Sequence, residues 1–121
     1  NNESFCVSKQ YYYTNLSCNG NKNKIKDCLK QLYGNDYMFS HKAIDDITYW
    51  NQENSSLYAK IHELLIDIKK HPFQGGIGKT EVLKNQEGIA SKRINDEHRI
   101  TYCIEKHVIH IFACKGHYFT V

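Results

Sequence analysis

The chain has 121 residues, 40% of them hydrophobic and 24% charged, with a formal net charge of +3. That suffices for one domain with a modest core and excludes a disordered or membrane-embedded class. The start is polar and lacks a signal-peptide pattern, and so small a positive charge points to an anionic partner only if it is clustered.

The opening Asn1-Asn2-Glu3 carries no methionine, the expectation for part of a longer product. The cysteines are Cys6, Cys18, Cys28, Cys103 and Cys114, an odd set without a C-x-x-C pair. That pattern fits a reducing cytoplasm better than a disulfide framework. Cys103 and Cys114 fall in apolar runs, where a free thiol acts as a small hydrophobe. Two Asn-x-Ser matches, at Asn15 and Asn54, are ordinary in a chain this rich in Asn and Ser.

A Tyr-, Asn- and Lys-rich stretch comes first. Within it Ile25, Leu29 and Leu32 recur at helix spacing, which predicts a helix over Lys22 to Tyr33 with Asn21 as cap and Gly34 as stop. Its stripe is too narrow for a free-standing helix, so it must dock on something. The character changes at Gly34-Asn35, dividing the chain into a 1–34 extension and a 35–121 domain.

Tyr37-Met38-Phe39 reads as a short strand, and Ser40 caps a helix from about Lys42 to Asn51. A helix from about Ser56 to Lys70 has Leu57, Ile61, Leu64, Leu65 and Ile68 on one face, and His71-Pro72 ends it. A glycine-rich loop, Gln74 to Lys79, leads to strands Glu81–Lys84, Ile89–Ile94, His98–Glu105 and Val108–Cys114. Helices followed by antiparallel strands predict an α+β fold, with the helices on one side of a curved sheet.

Two apparent motifs do not hold. Gly75-Gly76-Ile77-Gly78-Lys79-Thr80 imitates the end of a P-loop, but a helix precedes it and a strand follows, the reverse of what phosphate cradling needs. Cys114 and His117 have no second pair to complete a zinc site. Trp50 and Tyr11-Tyr12-Tyr13 could stack on bases, with core packing the more ordinary use of Trp50.

Arg93 and Arg99 are the chain's two arginines. Asn95-Asp96-Glu97 forms a turn between them, so they face each other across a hairpin. Facing like charges cost energy unless an anion lies between them. The pair either forks a phosphate or forms salt bridges with Asp96, Glu97 or Glu105. Glu81 stands just after the glycine loop, with Lys84 three residues on, and His117-Tyr118 follows the last strand. An acid, a base and fixed cations are what RNA cleavage by side chains alone requires.

From about Asp36 to Phe119 the chain resembles the YoeB (Txe) branch of RelE-superfamily toxins. The resemblance is carried by Phe39-Ser40, Asp45-Asp46, Tyr49-Trp50, His71-Pro72-Phe73, Gly78-Lys79 with Glu81 and Leu83-Lys84, Ser91 to Arg99, Tyr102 and Cys114 to Tyr118. It implies a cytoplasmic, ribosome-dependent endoribonuclease that cuts mRNA by 2′-hydroxyl attack without metal or cofactor. Glu81 matches the general base, His117 the general acid and Arg99 the group stabilising the transition state. Tyr118 joins this catalytic set, and Lys84, Lys92 and Arg93 match RNA-binding positions. A YefM/Phd-type antitoxin and homodimers are the implied partners. Departures are Thr80 for a frequent proline, Lys92 for a frequent arginine, and a glycine loop one residue longer.

Residues 15–34 resemble the tail of a YefM-type antitoxin, through Leu16-Ser17-Cys18-Asn19, Asn21, Ile25, Asp27, Leu29, Gln31-Leu32 and Gly34. That implies a fusion at Gly34-Asn35, with the extension docked in cis or on a neighbouring copy, or else a helix that merely covers a sheet edge. Three functions compete: an active nuclease, a self-inhibited or silent binding module, and a gyrase-directed ParE-like toxin, against which Glu81, Arg99 and His117 together argue.

Overall fold

The structure, a computed structural model, describes residues 22–82 and 88–116. The Asn21 cap, the Tyr11-Tyr12-Tyr13 run, and Lys84, His117 and Tyr118 lie outside the described residues, as does the 15–21 part of the antitoxin-like segment.

Three helices, α1 (Lys22–Tyr33), α2 (His41–Glu53) and α3 (Ser55–Lys70), pack with five strands. These are β1 (Tyr37–Phe39), β2 (Thr80–Val82), β3 (Ile89–Arg93), β4 (Arg99–Glu105) and β5 (Val108–Ala113). The sheet order is β1-β5-β4-β3-β2. All neighbours are antiparallel except β1, which lies parallel to β5. The α+β expectation holds, with a parallel edge strand added to it.

α1 spans the expected residues and buries Ile25, Cys28, Leu29 and Leu32. It stops where Gly34 takes a φ of +63°, a left-handed conformation that suits glycine. The helix packs on α2, and its Tyr33 ring meets the β1 side chains Tyr37 and Phe39 at 4.8 and 5.9 Å between centroids. It is a structural part of the core.

α2 begins at the expected cap, with Ser40 Oγ accepting from Ala43 N at 3.0 Å. Asn54 closes α2 and opens α3: its N–H donates to Trp50 O, and its Oδ1 accepts from Leu57 N. One residue therefore joins the two helices. α3 buries Ile61, Leu64, Leu65 and Ile68 completely against the sheet.

The helix side of the sheet is set by strand alternation. Ala90, Lys92, Ile100, Tyr102, Ile109 and Ile111 are all buried. Cys114 is buried as well, and burial raises its thiol well above the ordinary value, with Asp46 adding to the shift and Lys42 opposing it. Burial likewise pushes the Cys28 thiol up to about 12. Both behave as hydrophobes.

α2 holds the backbone of Cys114 at two points. Asp46 Oδ2 accepts from Cys114 N at 2.9 Å, and Trp50 Nε1 donates to Cys114 O at 2.8 Å. Packing and a backbone hydrogen bond are thus the uses of Trp50 here. Asp46→Ala is expected to cost about 1.5–3 kcal/mol, because it removes a charged acceptor and orphans a buried N–H. A urea titration unchanged by the substitution would refute this.

Candidate active site

The candidate site lies on the face of the sheet turned away from the helices. Register puts Glu81 opposite Ser91, Ser91 opposite Thr101, and Arg93 opposite Arg99. Alternation along each strand then places Glu81, Ser91, Arg93 and Arg99 on one face. The facing arginines expected from the turn are observed. Asn95 makes that turn by accepting from the N–H groups of Glu97 and His98 at 2.9 and 2.8 Å.

A cleft of about 350 Å³ lies here, bounded by Lys79, Thr80 and Glu81 on one side and by Arg93, Asn95, Asp96 and Arg99 on the other. Glu81 is exposed at its edge. Arg99 is 9% exposed and fixed: Nε donates to Ser91 Oγ at 2.8 Å and Nη2 to Lys79 O at 2.6 Å. Those bonds orient the guanidinium and leave the Nη1 donors for an anion in the cleft.

Arg93 forms an ion pair with Asp96, the salt-bridge alternative for one of the two arginines. The Asp96 side chain is 87% exposed, and a solvated pair of this kind is worth about 0–1 kcal/mol. An incoming phosphate can therefore displace it.

The chain just before His117 is anchored beside Arg99. Gly116 O accepts from Arg99 N at 2.9 Å, and Gly116 N donates to His98 Nδ1 at 2.9 Å. The His98 ring in turn meets Trp50 edge-on at 4.8 Å. With Cys114 held by Asp46 and Trp50, the path out of β5 is fixed up to the last described residue. Asp46 and His98 stand in segments that carry the resemblance, but the sequence assigns neither a role of its own. Beyond its place in the Asp45-Asp46 pair, the sign of Asp46 is a carboxylate on the buried side of a helix, four residues before Trp50.

Lys92 is a correction. Expected to bind RNA, it is fully buried, and its ammonium is 3.0 Å from Asp67 Oδ2. The cause is parity: Lys92 alternates with Arg93 and so points to the helix side. The glycine-rich loop is tied down by the same side chains, since Lys92 Nζ also donates to Gly75 O and Ile77 O. Gly78 is required in it, since its φ is +69° and a Cβ would lie 2.8 Å from Leu64 Cδ2 and 2.9 Å from Arg93 O. Among the described residues no group of three or more His, Cys, Asp or Glu side chains could hold a metal ion, and no helix is long and apolar enough to cross a membrane.

A family model described as the YoeB-like toxin of bacterial type II toxin-antitoxin systems matches residues 39–118. Toxin YoeB of Escherichia coli K12 is 39% identical over 82 residues, which are 67% of this chain and 96% of that protein. The YoeB dimer from Staphylococcus aureus is 42% identical with a TM-score of 0.64, covering 69% of this chain and 97% of that one. The YoeB–YefM complex from the same organism gives 43% identity and a TM-score of 0.62, over 68% of this chain and 95% of its counterpart. Glu81, Arg93 and Arg99 share their cleft within the matched region, whereas α1 precedes it. The chain belongs to the YoeB family of toxins of type II toxin-antitoxin systems.

Proposed function

We propose that this toxin is a ribosome-dependent endoribonuclease that cleaves mRNA by 2′-hydroxyl attack, with side chains supplying acid, base and cations. The observation that carries it is Arg99, oriented by Ser91 and Lys79 in a cleft whose rim is Glu81. Glu81 takes the 2′-hydroxyl proton and the 2′-oxygen bonds to phosphorus. The bond from phosphorus to the 5′-oxygen breaks, and His117 protonates the departing oxygen. A 2′,3′-cyclic phosphate and a 5′-hydroxyl result. Arg99 stabilises the charge gathered on phosphorus in passage. Arg93, Lys84 and Tyr118 hold the RNA and orient the reacting groups. The protein works in the cytoplasm, and a YefM-type antitoxin and a second copy of the chain are its partners, as the S. aureus complexes suggest.

One observation favours a second reading, in which residues 1–34 restrain the toxin unit. α1 is docked in cis with its apolar face buried. It lines no part of the cleft, so restraint through α1 acts on partner contact and not by plugging the site.

The test is mRNA cleavage on programmed ribosomes by the full chain, with Glu81→Gln and His117→Ala alongside. The nuclease reading expects cleavage by the unaltered chain and a loss of at least about 10²-fold in each variant, as for deleted acid–base groups. Folded protein that binds ribosomes and never cuts would put the binding module in its place.

A further inference from the structure

The sheet holds the loop between α3 and β2 at its start, middle and end. Tyr102 Oη donates to Pro72 O at the start. Lys92 Nζ donates to Gly75 O at 3.2 Å and Ile77 O at 3.3 Å in the middle, and to Thr80 Oγ1 at 3.0 Å where β2 begins. Lys79 O, at the end, accepts from both Arg93 N at 3.2 Å and Arg99 Nη2 at 2.6 Å.

Asp67, on α3, sits inside this wrapping. Its Oδ2 pairs with Lys92 at 3.0 Å and accepts from Ile77 N at 3.1 Å. Gly76 packs so closely that a Cβ there would overlap the carboxylate. The side chains of Lys92 and Asp67 are 0% and 12% exposed. An ammonium has three donors, and four acceptors already surround this one, so none remains for a phosphate.

We propose that Lys92 and Asp67 are positioning residues for the cleavage reaction: their buried ion pair sets the loop, and the loop sets the Arg99 guanidinium and the start of β2 that carries Glu81. Stability alone is a poor account of such a pair. Two desolvated charges gain little over a well-packed apolar pair, while the loss of one partner strands the other. What this pair does supply is directional contact with three separate points of a loop that otherwise has few side chains to hold it. The route to the cleft is short, since Lys79 and Thr80 both line it. Its consequence for cleavage rests on the nuclease reading; its consequence for Arg99 does not.

The experiment uses the full chain with Lys92→Met alone and with Lys92→Met/Asp67→Leu, which removes both charges at similar volume. Urea unfolding, the Arg99 Nε–H resonance, exchange of the Ile77 amide, and cleavage with its salt dependence are measured on each. The single variant is expected to unfold at lower urea, and the double variant to regain stability. In the double variant the Arg99 signal shifts, the Ile77 amide exchanges faster, and kcat falls at least about tenfold. KM and the salt slope of RNA binding stay as in the original chain, because no phosphate contact has been removed.

A folded double variant with an unmoved Arg99 signal and full kcat overturns the proposal. So does a salt slope lowered by about 0.7, the loss of one phosphate contact to single-stranded RNA, since Lys92 would then touch RNA. If the unaltered chain cuts no RNA, the nuclease reading falls, and the Arg99 signal alone decides: a shift upholds the positioning role and an unmoved signal ends it.

Discussion

Arg99→Ala is expected to slow mRNA cleavage by about 10²–10³-fold at saturating substrate, the usual effect of deleting one preorganised donor to a developing anion. Its guanidinium bonds the protein at 2.8 Å to Ser91 Oγ, 2.6 Å to Lys79 O and 3.4 Å to Ser91 O, so it is already placed before RNA arrives. Lysine is no substitute. A point charge on a flexible stem cannot bond Ser91 and Lys79 and still offer a planar pair of donors, so Arg99→Lys is expected to lose nearly as much. Arg93→Ala should do far less to kcat and more to RNA affinity, because Arg93 rests in an exposed pair with Asp96. Single-turnover rates, with urea titrations to confirm folding, separate these cases. Equal losses in kcat for Arg93→Ala and Arg99→Ala would mean that orientation of Arg99 is not what matters.

Acid should unfold this protein early, and His62 is the reason. Its ring is fully buried, stacked on Tyr33 at 5.9 Å and met edge-on by Tyr58 at 4.6 Å. The Tyr33 hydroxyl and His62 Nδ1 share a hydrogen bond at 2.6 Å. Burial lowers its pKa from 6.5 to about 3. A folded-state value below the unfolded one means that the unfolded chain binds the proton first. The stabilisation is therefore complete above pH 6.5 and drains away as pH falls toward 3. By pH 4 the loss is about 3 kcal/mol, taking 1.36 kcal/mol per pKa unit. Unfolding free energies at pH 7, 5.5 and 4 should fall less steeply in His62→Phe. Identical slopes in the two proteins would remove His62 from the explanation.

Much of this architecture can be read from spacing. Ile25, Leu29 and Leu32 predict α1 residue for residue, because one apolar stripe at helical period admits little else. Ser40 marks the start of α2, and the short turn at Asn95 is enough to set Arg93 across from Arg99. Other features depend on partners remote in sequence. β1 is three residues long, and nothing in Tyr37-Met38-Phe39 says that it lies parallel to β5. Asp46, His98 and Asp67 act through backbone groups and a buried cation supplied by other elements, which no local pattern reveals. Lys92 differs: Ala90 and Ile94 flank it at period two and already point to the core, so its inward direction was legible. The basic run Lys92-Arg93 obscured that alternation.

The pairing of β1 with β5 also bears on how the molecule is made. Tyr37 lies beside Ile109 and Phe39 beside Ile111, so a strand made early waits for one made much later in the chain. The local hairpins among β2, β3, β4 and β5 can form as they emerge, but β1 must stay unpaired until β5 has left the ribosome. The segment beyond Ala113 is gripped by α2 and by Arg99 at the same late stage. A chain that has not yet made β5 therefore has neither the complete sheet nor the anchored stretch from Cys114 to Gly116.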